Sequence, residues 1–231
     1  MELAAARLAD RGPSVSFVVP TGNFGNVFSG WVARRMGAPI NQLVVATNRN
    51  DILARLLTTG TMQIHEVDPT ISPSMDIQVS SNLERLLFEL YERDGQAIAD
   101  LLAEFRDAGV VSVPAERMAV ASELFAAAST SEEATRAAIE RYHADHGLIV
   151  DPHTAVGLDV AERVRRDPTA PQVTMATAHP AKFPDAVEAA TGVRPELPAR
   201  LADLFDREER YVTLPVDQPT VTAHLRETLG R

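Results

Sequence analysis

Apolar and polar positions change rhythm several times along the chain, and each change predicts an element. Val15, Phe17, Val18 and Val19 form a nearly unbroken run of β-branched and aromatic residues, the pattern of a strand buried on both faces. Pro20 ends it, because proline has no N–H to continue a ladder. From Val27 to Met36 the spacing is helical, with Trp31, Val32 and Met36 expected on the packing side and Arg34 and Arg35 outward; Gly37 and Pro39 stop the helix. Gln42 to Thr47 is a second buried run. Strand, helix and strand in this order make a βαβ unit, which implies parallel strands. Asn50 or Asp51 is expected to cap a helix beginning at Ile52.

Farther on, residues 58 to 82 read as polar and irregular, and Leu83, Leu86, Leu87, Leu90 and Tyr91 then recur at helical spacing behind a cap at Ser81 or Asn82, toward an end near Gly95. Gln96 to Ala144 reads as helical and acidic, interrupted by Val110 to Val113, with Thr130-Ser-Glu-Glu133 opening its last helix. A helix through Val164 follows, capped by His153 or Thr154. Gln172 to Ala176 is the last buried strand expected, and the tail adds helical pieces near Val187, Leu201 and Val221 with a strand at Tyr211 to Leu214. The fold class is therefore α/β: a mostly parallel sheet with helices on both faces. Residues 1–94 and 148–231 are assigned to that domain and 95–147 to a helical insert or small subdomain.

Chemistry is expected where strands end, since open parallel sheets bind ligands at their carboxyl edges. The first strand delivers Thr21-Gly-Asn-Phe-Gly-Asn26 to a helix start. Two glycines three apart let backbone N–H groups converge, and a helix N-terminus adds unpaired donors, so the guest that fits is an anion such as phosphate. The loop is neither a P-loop nor a Rossmann fingerprint, because it lacks both the lysine and the third glycine. An ordinary left-handed turn before a helix is the alternative reading.

Composition narrows the chemistry. The chain has 231 residues, 45% of them apolar, and no run long enough to span a bilayer. It contains no cysteine, which excludes disulfides and thiol nucleophiles and suits a cytoplasmic setting. A formal charge of −10 argues against a nucleic-acid backbone as partner. Lysine occurs once, at Lys182. His143, His146 and His153 do not have metalloprotease spacing and read as surface or capping residues. Residues 2–9 look like the tail of a helix stopped by Arg11-Gly-Pro13, an unusual lead into an innermost strand and a sign that the chain begins at an internal boundary.

Three separated stretches carry a resemblance: Pro20-Thr-Gly-Asn-Phe-Gly-Asn26 with Val44-Val-Ala-Thr-Asn-Arg-Asn-Asp51, Ser72-Pro-Ser-Met-Asp-Ile-Gln-Val-Ser-Ser-Asn82, and Thr177-Ala-His-Pro-Ala-Lys-Phe183. In this order they resemble threonine synthase, a fold-type II enzyme of the tryptophan synthase β type that uses pyridoxal 5′-phosphate (PLP). The resemblance implies a reaction in which O-phospho-L-homoserine and water give L-threonine and phosphate. It implies that Gly22, Asn23, Phe24, Gly25 and Asn26 hold the cofactor phosphate and that the Thr177 hydroxyl meets the pyridine nitrogen. Lys182 sits in the family motif but not at the position that forms the Schiff base, so that lysine is expected upstream, in a missing N-terminal part of the same enzyme. This chain alone is then catalytically incomplete. Asp76, Ser81, Asn82 and Arg85 either touch substrate or cap and brace; a similar Pro-His-Thr-Ala-Val-Gly stretch near the active site leaves the role of His153 open. A threonine synthase-like phospho-lyase and a non-catalytic phosphate-binding fragment are the alternatives.

Overall fold

The computed structural model describes residues 14–230, so the helix expected over residues 2–9 lies outside the described residues. Two compact units divide the chain, one through Pro195 and one from Glu196 onward. The first is built on a four-stranded sheet in the order β5-β2-β1-β6, all parallel. Its strands are β1 (Val15–Pro20), β2 (Ile40–Thr47), β5 (Phe125–Ser129) and β6 (Gln172–Thr174). Parallel pairing needs a crossover between successive strands of the sheet, and helices supply it: α1 (Gly25–Arg35), α2 (Ile52–Thr59), α3 (Leu83–Leu90), α4 (Gly95–Ala108), α5 (Ala115–Ser122), α6 (Glu132–His146) and α7 (Pro152–Arg163); α8 (Pro184–Thr191) follows the last strand. A separate antiparallel pair joins β3 (Thr61–Gln63) to β4 (Val110–Ser112).

The alternation of side chains along a strand divides the core in two. Phe17, Val19, Leu43 and Val45 face one way and join Val27, Ile52, Leu56 and Leu86 from the helices; Val18, Val44 and Ala46 face the other and meet Val156 and Val160 of α7. Both faces of the central strands are thus covered, which explains why β1 and β2 read as continuous apolar runs. Each fully buried Val, Leu or Phe contributes roughly 1.5–3 kcal/mol, so this double layer is the main source of the unit's stability.

Several expectations need correction. The packing side of α1 is Val27, Gly30 and Ala33, with Trp31 half-buried against the core as expected, while Val32 and Met36 are exposed. Small residues face the sheet and let the helix backbone come close. Residues 58 to 82 are not wholly irregular: they contain β3 and a 3-10 turn at Pro73–Met75. The helix expected toward Gly95 ends at Leu90, and Gly95 begins the next. Phe125–Ser129, read as part of a helical stretch, is a strand beside β2. The last strand of the sheet is a half-buried edge, not a buried one, and stops at Thr174. In the second unit, Tyr211 to Leu214 has no strand partner among the described residues and its Tyr211 and Val212 are exposed; the unit consists of short 3-10 turns and α9 (Gln218–Leu229).

Candidate functional site

Because the sheet is parallel, β1, β2 and β6 all end on one edge. The register Val18 with Thr174, carried onward, sets the residues after Pro20 beside those after Ala176. The structure thus brings together two stretches more than a hundred positions apart. A cavity of about 150 Å³ opens there, lined by Pro20, Gly22, Ser74, Met75, His153, Thr177, Ala178 and Lys182.

Of the glycine loop, Gly22 lines this cavity, and Asn23 to Asn26 continue from it into the helix start. Phe24 takes a left-handed conformation (φ 65°), an outlier for a bulky residue, and its ring is buried against Phe125 at 5.8 Å between centroids. A left-handed residue followed by helical ones turns successive amides the same way and makes an anion-binding concavity. Among the described residues, none of the N–H groups from Gly22 to Val27 donates to a protein acceptor. Gly22 must be small for another reason: a methyl group on it would lie 3.1 Å from both the Met75 Cα and the Ser74 carbonyl oxygen. The loop is held from outside, with Asn82 Nδ2 donating to the Asn23 carbonyl at 2.9 Å and the Ser81 hydroxyl to Asn23 Oδ1 at 3.3 Å. These two side chains therefore brace the loop and do not cap α3, which has no side-chain cap.

Ser74 and Met75 of the lining belong to a segment that a polar knot holds in place. Asp76 Oδ1 accepts from Asn48 Nδ2 (2.7 Å), Asn50 Nδ2 (3.0 Å) and the Thr70 hydroxyl (2.6 Å), and Oδ2 accepts from the Thr70 N–H (2.7 Å). Asn50 is consumed by this knot and Asp51 pairs with Arg55 at 2.8 Å, so neither side chain caps α2. Arg85 is exposed and its side chain has no hydrogen-bond or ion-pair partner among the described residues.

At the other end, Asp151 caps α7, accepting from the N–H groups of His153 (2.9 Å) and Thr154 (3.3 Å); the cap is neither His153 nor Thr154. Proline at the first helical position is the signal that marks the residue before it as the cap. His153 is buried, not a surface residue, with Nδ1 3.0 Å from Asp151 Oδ1, Nε2 accepting from the Ser74 N–H at 3.3 Å, and its ring 4.7 Å from that of Phe183. Burial alone would raise the Asp151 carboxyl pKa, but the hydrogen bonds from His153 and Thr154 outweigh it and hold the group below its ordinary value. The Thr177 N–H donates to Thr154 Oγ1 at 3.3 Å, while its hydroxyl has no protein partner among the described residues. Lys182 is exposed at the cavity mouth, its Nζ 5.7 Å from the Phe183 ring.

Comparison with known proteins meets this geometry. Residues 154–225 match the family model described as threonine synthase, C-terminal. A threonine synthase from Pseudomonas aeruginosa is 48% identical over 225 residues, 97% of this chain and 48% of the relative. The chain carries a threonine synthase C-terminal domain and matches threonine synthases along nearly its whole length. A Corynebacterium glutamicum threonine synthase is 38% identical over 94% of the chain and 46% of its own length. Among solved structures, the PLP-bound threonine synthase of Brucella melitensis superposes with a TM-score of 0.88 at 46% identity, covering 97% of this chain and 48% of that one. Yeast threonine synthase does so at 0.80 and 35%, over 94% and 48%. The chain spans about half the length of the threonine synthases it matches, and the match is to their C-terminal half. Its parallel sheet with helices on both faces is the threonine synthase fold.

Proposed function

We infer that this chain supplies the cofactor-anchoring half of a threonine synthase that converts O-phospho-L-homoserine and water to L-threonine and phosphate. The residues present fit PLP. A dianionic phosphate calls for several convergent amide donors at a helix start, and the loop from Gly22 through Asn26 presents them unpaired; a pyridine nitrogen calls for a polar hydrogen-bond partner at the far end, and Thr177 offers a free hydroxyl. The single observation that carries the reading is that Gly22 and Thr177 line one cavity. When bound, PLP withdraws electrons from the substrate's α-carbon. The protein's part is anchoring: the amides and helix α1 neutralise the phosphate, a hydroxyl rather than a carboxylate leaves the ring nitrogen without a full proton, and the apolar ring of Phe24 seals the loop from beneath.

The amine that engages the cofactor aldehyde is assigned to another part of the enzyme. Lys182 belongs to the wall of the cavity and stands at its mouth, on a 3-10 turn. In this reading the chain by itself binds and does not turn over.

The test is charge placed in the loop. Gly25→Asp puts a carboxylate where the amides converge, with its Cβ 3.4 Å from Asn82 Nδ2, a contact that needs only a small adjustment. Calorimetric titration with inorganic phosphate and with pyridoxine 5′-phosphate should show affinity falling at least tenfold for both. Unchanged affinities would end the phosphate-loop assignment.

A further inference from the structure

The two anchors lie on different segments, and a ligand that touches both is held only if their spacing is fixed. Nothing covalent nearby fixes it: Gly22 follows β1 and Thr177 follows β6. One buried group is tied to both. Asp151 is 1% exposed and uses each carboxylate oxygen for a different purpose. Oδ1 lies 3.0 Å from His153 Nδ1, and His153 Nε2 accepts the Ser74 N–H at 3.3 Å, which makes Nδ1 the protonated nitrogen and the donor to Asp151. The carbonyl of the same Ser74 stands 3.1 Å from where a Gly22 methyl would be, so this arm ends against the floor of the glycine loop. Oδ2 accepts the Thr154 hydroxyl, whose oxygen is thereby left as the acceptor for the Thr177 N–H at 3.3 Å. The second arm therefore ends at the other anchor.

We propose that Asp151 is a positioning residue that sets the distance between the phosphate-holding loop and Thr177, through His153 on one side and Thr154 on the other. A ligand occupying both ends depends on Asp151, and a ligand occupying only one end does not. This proposal rests on the reading of the cavity as a PLP site, and it goes beyond that reading by naming what fixes the cavity's length. Helix capping alone would not divide ligands in this way, since a cap contributes to stability whatever is bound.

Two probes separate the cases on the 231-residue chain. Inorganic phosphate reaches the loop alone. Pyridoxine 5′-phosphate spans both ends and, lacking an aldehyde, forms no imine with any lysine. Thr154→Val removes the second arm while keeping the volume and the cap. Asp151→Asn keeps an oxygen for the cap but turns the group facing Thr154 from acceptor to donor. For both variants the dissociation constant of pyridoxine 5′-phosphate should rise about tenfold, with that of phosphate unchanged within twofold. The amide signal of Thr177 in nitrogen-15 spectra should move in both variants without general loss of dispersion. His153→Phe, which keeps a ring against Phe183, should weaken pyridoxine 5′-phosphate as well. Equal weakening of both probes, or of neither, overturns the role of Asp151 and leaves the site intact. If wild-type chain binds neither probe, the PLP reading itself falls, and the proposal with it.

Discussion

Replacing Gly157 by alanine sets two effects of known size against each other. Gly157 lies inside α7, where alanine is the better helix former by about 1 kcal/mol, so on propensity alone the substitution stabilises. The packing opposes it. A Cβ at Gly157 would stand 2.9 Å from Pro20 Cγ, 2.9 Å from Thr174 Cγ2 and 3.2 Å from Pro20 Cδ, against roughly 3.5–4.0 Å for a relaxed carbon contact. Neither neighbour yields easily. The proline ring is locked to its backbone and the branched threonine is restricted at χ1, and both sit in paired strands, β1 and β6. α7 cannot retreat either, because Pro152 through Gly157 and Val160 are buried. Overpacking of this kind costs about 1–3 kcal/mol, so after the gain in propensity the net loss should be about 0–2 kcal/mol, or up to about 8 °C in Tm. Urea unfolding followed by the fluorescence of Trp31 measures it. Gly95→Ala is the matched control: no atom lies within 4 Å of its Cβ, its φ is not positive, and it should gain up to about 1 kcal/mol. A Gly157→Ala protein as stabilised as the control would show that α7 does not press on the sheet as described.

Two further outcomes are expected. The Asp151 pKa is lower folded than unfolded, so its contribution to stability is present above the unfolded value of about 3.9 and is lost as pH falls through the folded value. The stability gap between wild type and Asp151→Asn, from urea unfolding at a series of pH values, should be widest near neutrality and close below about pH 4; a gap independent of pH would contradict it. Treatment of the chain with PLP and borohydride, followed by peptide mapping, should give at most slow and non-saturable labelling of Lys182; stoichiometric, saturable labelling with turnover would make Lys182 the cofactor lysine and the chain self-sufficient.

What the sequence disclosed depended on whether the cause of a structure was local. β1, the glycine loop, α1 and β2 were legible because an apolar run cut by Pro20, a loop of Gly and Asn, and a second apolar run all have local causes. β5 was not, because Phe-Ala-Ala-Ala-Ser has the composition of a helix and becomes a strand only when β2 is there to pair with it. β3 and β4 are three residues each, too short for any periodicity to show. The caps failed for a related reason. Asn50 and Asn82 have the chemistry of N-caps, but distant partners, Asp76 and the Asn23 carbonyl, took their side chains instead. The helical spacing of α1 was legible and its face only in part: Trp31 packs on the core and Arg34 and Arg35 point outward, but hydrophobicity favours Val32 and Met36 where close approach favours Gly30 and Ala33.

The same contrast explains how the candidate site is built. In the proposed reading its anchoring groups toward an anion are main-chain amides, which any sequence possesses; what the sequence supplies is the restraint that makes them converge. Phe24 stays in a conformation costing about 1–2 kcal/mol because burial of its ring, worth more than that, would be lost on relaxing. Asn82 and Ser81 hold Asn23 from one side, Ser74 and Met75 close on Gly22 from another, and Asp76 holds the segment from Thr70 onward against Asn48 and Asn50 at the end of β2. Every one of these ties joins residues far apart in sequence, and several end on a backbone atom. A substitution at the loop itself therefore tests the anion contact, whereas substitutions at Asn82, Asp76 or Asp151 test the restraint, and the two kinds should differ in whether affinity for a small anion or for a longer ligand suffers first.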